Sequence, residues 1–116
     1  METKEMVARI YDALDAKKAL DIQIIDIQEI SGFADYFIMA NASNQSQLIA
    51  MQDAVDEAMY TNDVHAKSVE GNRNSTWILM DYEDVIVHLF SQEDRLFYNL
   101  ERIWQDGKTV SREDFS

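Results

Sequence analysis

The first stretch of the chain repeats its apolar residues at helical spacing. Met6, Val7, Ile10, Tyr11 and Leu14 form one stripe, and Thr3 is placed to cap a helix running to about Lys17. From Asp21 to Ile27 the period changes: Ile22 and Ile24 alternate with Gln23, and Ile25 is added, which predicts a strand with at least one buried face. Ser31-Gly32-Phe33 interrupts it, and Tyr36-Phe37-Ile38-Met39 is a continuous apolar run that predicts a second, interior strand. Ser43 is expected to cap a long helix to about Tyr60 with Leu48, Met51, Val55 and Met59 on its stripe, and Asn62 is the expected left-handed stop. Val64 to Val69 predicts a polar edge strand. After the polar loop Glu70 to Ser75 come strands over Thr76–Asp81 and Val85–Phe90, joined through Tyr82-Glu83. Ser91 is expected to cap a last helix with Leu96, Phe97, Leu100, Ile103 and Trp104 on its stripe, ended by Gly107.

This order, α-β-β-α-β-β-β-α, predicts a single α/β domain over residues 1–107, a five-stranded mixed sheet packed with three helices. Residues 108–116 are polar and are expected to form a frayed tail.

Alternation separates the hairpin into two faces. With Tyr82-Glu83 as a two-residue loop, Asp81 pairs with Asp84, Met80 with Val85, Leu79 with Ile86, Ile78 with Val87 and Trp77 with His88. Ile78, Met80, Val85, Val87 and Leu89 then share one uniformly apolar face, which reads as core. Trp77, Leu79, Asp81, Asp84, Ile86 and His88 share the other. Two readings of that second face stand side by side: a sheet face covered by a helix, or an aromatic centre with an acidic rim of the kind found at protein interfaces. A one-residue slip of register would exchange the faces.

Composition narrows the partners. Ten Lys and Arg against 22 Asp and Glu give the 116 residues a net charge of -12, which disfavours nucleic acid and anionic membrane surfaces and fits a basic protein partner. From Ala19 to Ala66 there are eight acids and no Lys or Arg, and Asp81, Glu83, Asp84, Glu93 and Asp94 form a second uncompensated run. There is no Cys, which excludes disulfides, thiolate chemistry and sulfur-ligated metal. Residues Met1 to Met6 carry both signs of charge and predict no signal peptide, and no apolar run is long enough to span a bilayer. The expectation is a soluble, cytoplasmic protein.

Catalytic signatures are sparse. The two histidines, His65 and His88, have no ligand-type spacing, and three scattered glycines make no phosphate loop. Ser31-Gly32 leading to Asp35 is faintly like the loop of nucleotidyltransferases. Tyr36 and Phe37 follow, however, so the second aspartate of a two-metal Asp-x-Asp is missing.

The hairpin and last helix carry a resemblance. Asp21-Ile22, Ser31, Asp35-Tyr36-Phe37, Ser43-Asn44, Glu70-Gly71, the string from Trp77 to Phe90, Arg95, Tyr98, Leu100-Glu101 and Trp104 together resemble the ribosomal silencing factor family, also called the Iojap family. The match covers about Leu14 to Trp104. The resemblance implies a non-enzymatic, cofactor-free repressor with a nucleotidyltransferase-like fold lacking the catalytic residues. Such a protein binds the large ribosomal subunit through large-subunit ribosomal protein fourteen and blocks joining of the small subunit. It also implies little or no direct contact with nucleic acid, no membrane, and a monomer or homodimer. A large-subunit assembly factor is the alternative, and a nucleotidyltransferase-type enzyme the remote one. Carried onto this chain, the docking residues are Trp77, Asp81, Tyr82, Asp84 and His88, joined by Glu70, Tyr98 and Glu101. Two positions depart from the family pattern: Glu83 stands where glycine is common after the position of Tyr82, and Asn41 where glycine is common in the turn before Ser43.

Overall fold

The computed structural model describes residues 1–32, 34–72, 74–91 and 107–115. Helix α1 (Thr3–Ala16) buries Met6, Val7, Ile10 and Leu14, and α2 (Gln45–Tyr60) buries Leu48, Met51, Val55 and Met59. Both apolar stripes face the same side of one sheet, as helical periodicity requires.

Among the described residues the sheet has six strands: β1 (Leu20–Asp26), β2 (Tyr36–Ala42), β3 (Ser68–Glu70), β4 (Trp77–Asp81), β5 (Val85–Ser91) and β6 (Lys108–Val110), in the spatial order β3-β4-β5-β2-β1-β6. Only β2 and β5 pair in parallel; every other neighbour is antiparallel. These two central strands are buried along their whole length, which is why both read as near-continuous apolar runs.

Alternation divides the sheet into two faces. Toward the helices point Ile24, Tyr36, Ile38, Ala40, Ile78, Met80, Val85, Val87 and Leu89. On the opposite side Ile25, Ile27, Phe37, Met39, Ile86 and Phe90 form a second cluster, with Trp77 and Leu79 packed against it.

Several local expectations are corrected. A sixth strand appears because Lys108–Val110, read as part of a frayed tail, pairs with the free edge of β1. A 3-10 turn over Arg112–Phe115 follows, held by Arg112, whose Nε and Nη2 donate to the two carboxylate oxygens of Asp12 at 2.9 and 3.0 Å. That fork holds the Asp12 carboxyl below its usual range. Phe115 meets the Tyr36 ring edge-on at 5.3 Å.

Asn44, not Ser43, caps α2 by accepting from the Gln47 backbone N–H at 2.8 Å. Thr3 opens α1 without capping it and instead donates from Oγ1 to Asp84 Oδ2 at 3.2 Å. The left-handed residue after α2 is Asp63 (φ 60), while Asn62 donates from its side chain to the Ala58 carbonyl. Asn41 is a buried residue of β2, not a turn residue. The strand expected over Val64–Val69 is only Ser68–Glu70; Val64 and Ala66 turn inward onto the helix-side core. The last helix expected after Ser91 lies outside the described residues.

Candidate functional site

The β4–β5 hairpin pairs Trp77 with Phe90, Leu79 with His88 and Asp81 with Ile86. This register is two residues away from the expected one. The Tyr82 backbone N–H donates to the Val85 carbonyl at 3.0 Å, so the loop is Glu83-Asp84. A shift by an even number leaves side chains on their faces, and the two-faced reading survives. Tyr82 does not stay in the loop. It joins the strand on the helix side, is 5% exposed and belongs to the main core. Burial, with a smaller push from Asp56 of α2, holds its phenol protonated far above the ordinary range. Tyr82 is therefore withdrawn from the docking set.

The turn is tight. Asp84 N–H donates to the Tyr82 carbonyl at 3.0 Å across Glu83, whose φ is 71, and Asp81 Oδ1 accepts from the Glu83 N–H at 2.8 Å. A bond across a single residue at this φ is the rare positive-φ γ-turn. Asp84 is fixed from two sides, since its carbonyl accepts from Asp35 and Tyr36 N–H at 2.8 and 3.1 Å.

On the face away from the helices, burial falls steadily toward the β3 edge. His88 on β5 is buried, Trp77, Leu79 and Asp81 on β4 are half-buried, and Glu70 and Ser68 on β3 are exposed. Glu70 pairs with Leu79 and Ser68 with Asp81, so both acids lie on the same face as Trp77. Beside them a hollow of about 440 Å³ is lined by Lys67, Asp81, Glu83, Asp84 and Ile86. The apolar floor is thus contiguous with a wall of Asp81, Glu83 and Asp84 that also carries Lys67. Gly71 makes this edge possible: at φ 105 it passes so close to Trp77 that a Cβ would stand 2.7 Å from the Trp77 carbonyl oxygen.

Trp77 is held from below. Its Nε1–H donates to His88 Nδ1 at 3.1 Å, with the two ring planes parallel to within 1° and their centroids 5.8 Å apart. Because an indole nitrogen only donates, Nδ1 is the acceptor and the neutral imidazole carries its proton on Nε2. His88 in turn stacks on Phe37 at 4.5 Å. At 3% exposure it cannot reach a partner, contrary to the expectation of a contact residue. Its Nε2 is buried with no hydrogen-bond partner among the described residues, a group that typically costs about 1–3 kcal/mol. Burial pushes the imidazole from 6.5 down to about 4, so it is neutral near pH 7.

Of the sequence-predicted site residues, Trp77, Asp81 and Glu70 are brought to one face, with Asp84 at its end. Tyr98 and Glu101 lie outside the described residues. Leu79 was missing from the docking set, although its period-two position between Trp77 and Asp81 already placed it there. Among the described residues, no group of three or more His, Cys, Asp and Glu is arranged to hold a metal ion, and no helix is long and apolar enough to cross a membrane.

Fold and site define a class: an acidic α/β domain whose described residues form a six-stranded mixed sheet with α1 and α2 on one side and an aromatic–acidic strip near one edge. The family described as ribosomal silencing factor during starvation matches residues 1–116, and the chain belongs to it. The chain is 31% identical over 113 residues to the ribosomal silencing factor RsfS of Halalkalibacterium halodurans, covering 97% of each chain. To that of Bacillus subtilis it is 34% identical over 107 residues, covering 92% of this chain and 91% of the relative. A crystal structure from Bacillus halodurans superposes with a TM-score of 0.85 at 28% identity, over 94% of this chain and 99% of that one.

Proposed function

We propose that this chain represses translation by docking on the large ribosomal subunit, through large-subunit ribosomal protein fourteen, so that the small subunit cannot join. The observation that carries the reading is the strip on β4. Trp77 and Leu79 offer half-buried apolar area, Glu70 and Asp81 share their face, and Glu83 and Asp84 add negative charge at the hairpin end of β4. An aromatic anchor inside a charged rim is the arrangement in which a few residues dominate binding while the rim steers approach. With a net charge of -12 the partner surface is a basic protein rather than RNA phosphate.

The action is binding, not catalysis. Asp35 stands without a second aspartate two residues on, and its backbone is committed to Asp84.

Purified large and small subunits supply the test. Adding the chain should lower the fraction of joined particles on a sucrose gradient, and Trp77→Ala should restore joining and weaken co-sedimentation with the large subunit by at least tenfold, ~1.4 kcal/mol or more. Joining that is unaffected by the wild-type chain would overturn the proposal. Inhibition undiminished in Trp77→Ala would remove the anchor.

A further inference from the structure

We propose that His88 is a positioning residue: without touching the partner, its Nδ1 holds the Trp77 indole in one orientation and so prepares the anchor for docking. The inference rests on the docking reading given above for Trp77, but it concerns a buried residue and can be measured on the free protein.

The geometry is specific. The Trp77 Nε1–H donates to Nδ1 over 3.1 Å, with the two ring planes parallel to within 1°. A tryptophan side chain has two rotatable bonds, and fixing the nitrogen edge fixes both. With that edge turned toward buried His88, the opposite edge of the indole faces away from the core. The imidazole is itself immobilised. Phe37 stacks on it at 4.5 Å from the neighbouring strand, and Leu79 stands opposite it in the hairpin.

Histidine is otherwise a poor choice at this position. Phenylalanine would keep the aromatic stack with Phe37 and bring no buried donor of its own, whereas His88 buries an Nε2–H that has no partner among the described residues. What phenylalanine lacks is an in-plane acceptor at Nδ1. The imidazole therefore does something for Trp77 that packing alone would not demand. A half-buried aromatic that is already oriented loses less conformational freedom on binding, so the complex is tighter with no added contact.

The experiment compares wild type, His88→Phe, His88→Asn and Trp77→Ala. The Asn side-chain oxygen can take the place of Nδ1. On the free protein, the indole N–H resonance of Trp77, assigned by its loss in Trp77→Ala, reports the bond, and its hydrogen-exchange rate reports protection. His88→Phe should move that resonance upfield and speed its exchange, and weaken large-subunit binding about tenfold, ~1.4 kcal/mol. His88→Asn should recover most of both. If the indole resonance and binding of His88→Phe match wild type, the inference is overturned. It is equally overturned if His88→Asn, folded by circular dichroism, is no better than His88→Phe or, where His88→Phe does not fold, shows an unprotected indole. If instead the indole shifts as expected while Trp77→Ala binds the large subunit like wild type, the docking reading fails and His88 orients a residue that does not dock.

Discussion

Replacing Glu83 with glycine should stabilise the fold. Glu83 sits at φ 71 inside a one-residue γ-turn, closed by the 3.0 Å bond from Asp84 N–H to the Tyr82 carbonyl. A non-glycine residue held in such a sparsely populated region costs of the order of 1–3 kcal/mol. Glycine removes that cost but gives back roughly 0.5–1 kcal/mol in unfolded-chain entropy. The hydrogen bond from the residue-83 N–H to Asp81 Oδ1 is a backbone donation and survives the change. The net gain is ~1 kcal/mol, equivalent to a rise in Tm of roughly 3–5 °C for a domain of this size. Glu83 also stands between Asp81 and Asp84, so losing its carboxylate relieves some repulsion. Glu83→Ala separates the two effects, since it removes the charge and keeps the strain. Urea unfolding followed by tryptophan fluorescence should show the glycine variant with a raised midpoint and unchanged slope. A Glu83→Gly protein no more stable than Glu83→Ala would refute the strain argument.

Two other perturbations test what surrounds the site. Gln47 joins the end of α1 to the start of α2: its Oε1 accepts from Ser43 N–H at 2.6 Å, and its Nε2 donates to the Lys17 and Lys18 carbonyls at 3.0 and 2.9 Å. Gln47→Ala should cost roughly 1–2 kcal/mol in chemical denaturation, and Gln47→Glu, which keeps only the acceptor, should fall between it and wild type. His88 gives stability a distinct acid limb. The unfolded chain binds a proton near 6.5 while the folded imidazole resists protonation down to about 4, so stability is complete above pH 6.5 and falls as pH drops through that window, by up to ~3 kcal/mol. Denaturation from pH 7 to pH 4 should show this loss in wild type beyond that of His88→Phe, and parallel curves would contradict it.

What the sequence disclosed was what periodicity controls. The faces of β4 and β5 were legible because alternation depends only on parity, and the misplaced register erred by two residues, an even number. The turn itself was not legible. No glycine or Asn-Gly pair marks it, and Tyr82 resembled a loop residue until packing drew its ring into the helix-side core. Adjacent cap formers, Ser43 beside Asn44 and Asn62 beside Asp63, could not be ranked by side-chain type, because the choice is set by where the helix axis lands on the sheet. β6 has three residues in a polar context. It gains its order from the open edge of β1, a long-range pairing that leaves no local period. His88 was misassigned for a related reason: its residue type suggests a contact, while its place on a central strand makes it interior.

That place explains why the candidate anchor is Trp77 and not one of the other aromatics on the same face. Phe37 and Phe90 lie on β2 and β5, which have a strand on both sides, and both are almost fully buried. Among the described residues, β4 is flanked on its outer side only by the three residues of β3, which pair with Leu79, Met80 and Asp81 and stop short of Trp77. Beyond that pairing the chain crosses Trp77 at Gly71, where the absence of a side chain lets the backbone pass close by without adding cover. Trp77 thus has an inner neighbour, His88, able to take its polar edge, and an outer neighbour too short to enclose it. A tryptophan one strand further in would be core, and on β3 it would have no His88 beneath it. The boundary between buried and exposed sheet is where an aromatic can be both fixed and available, and β4 is that boundary.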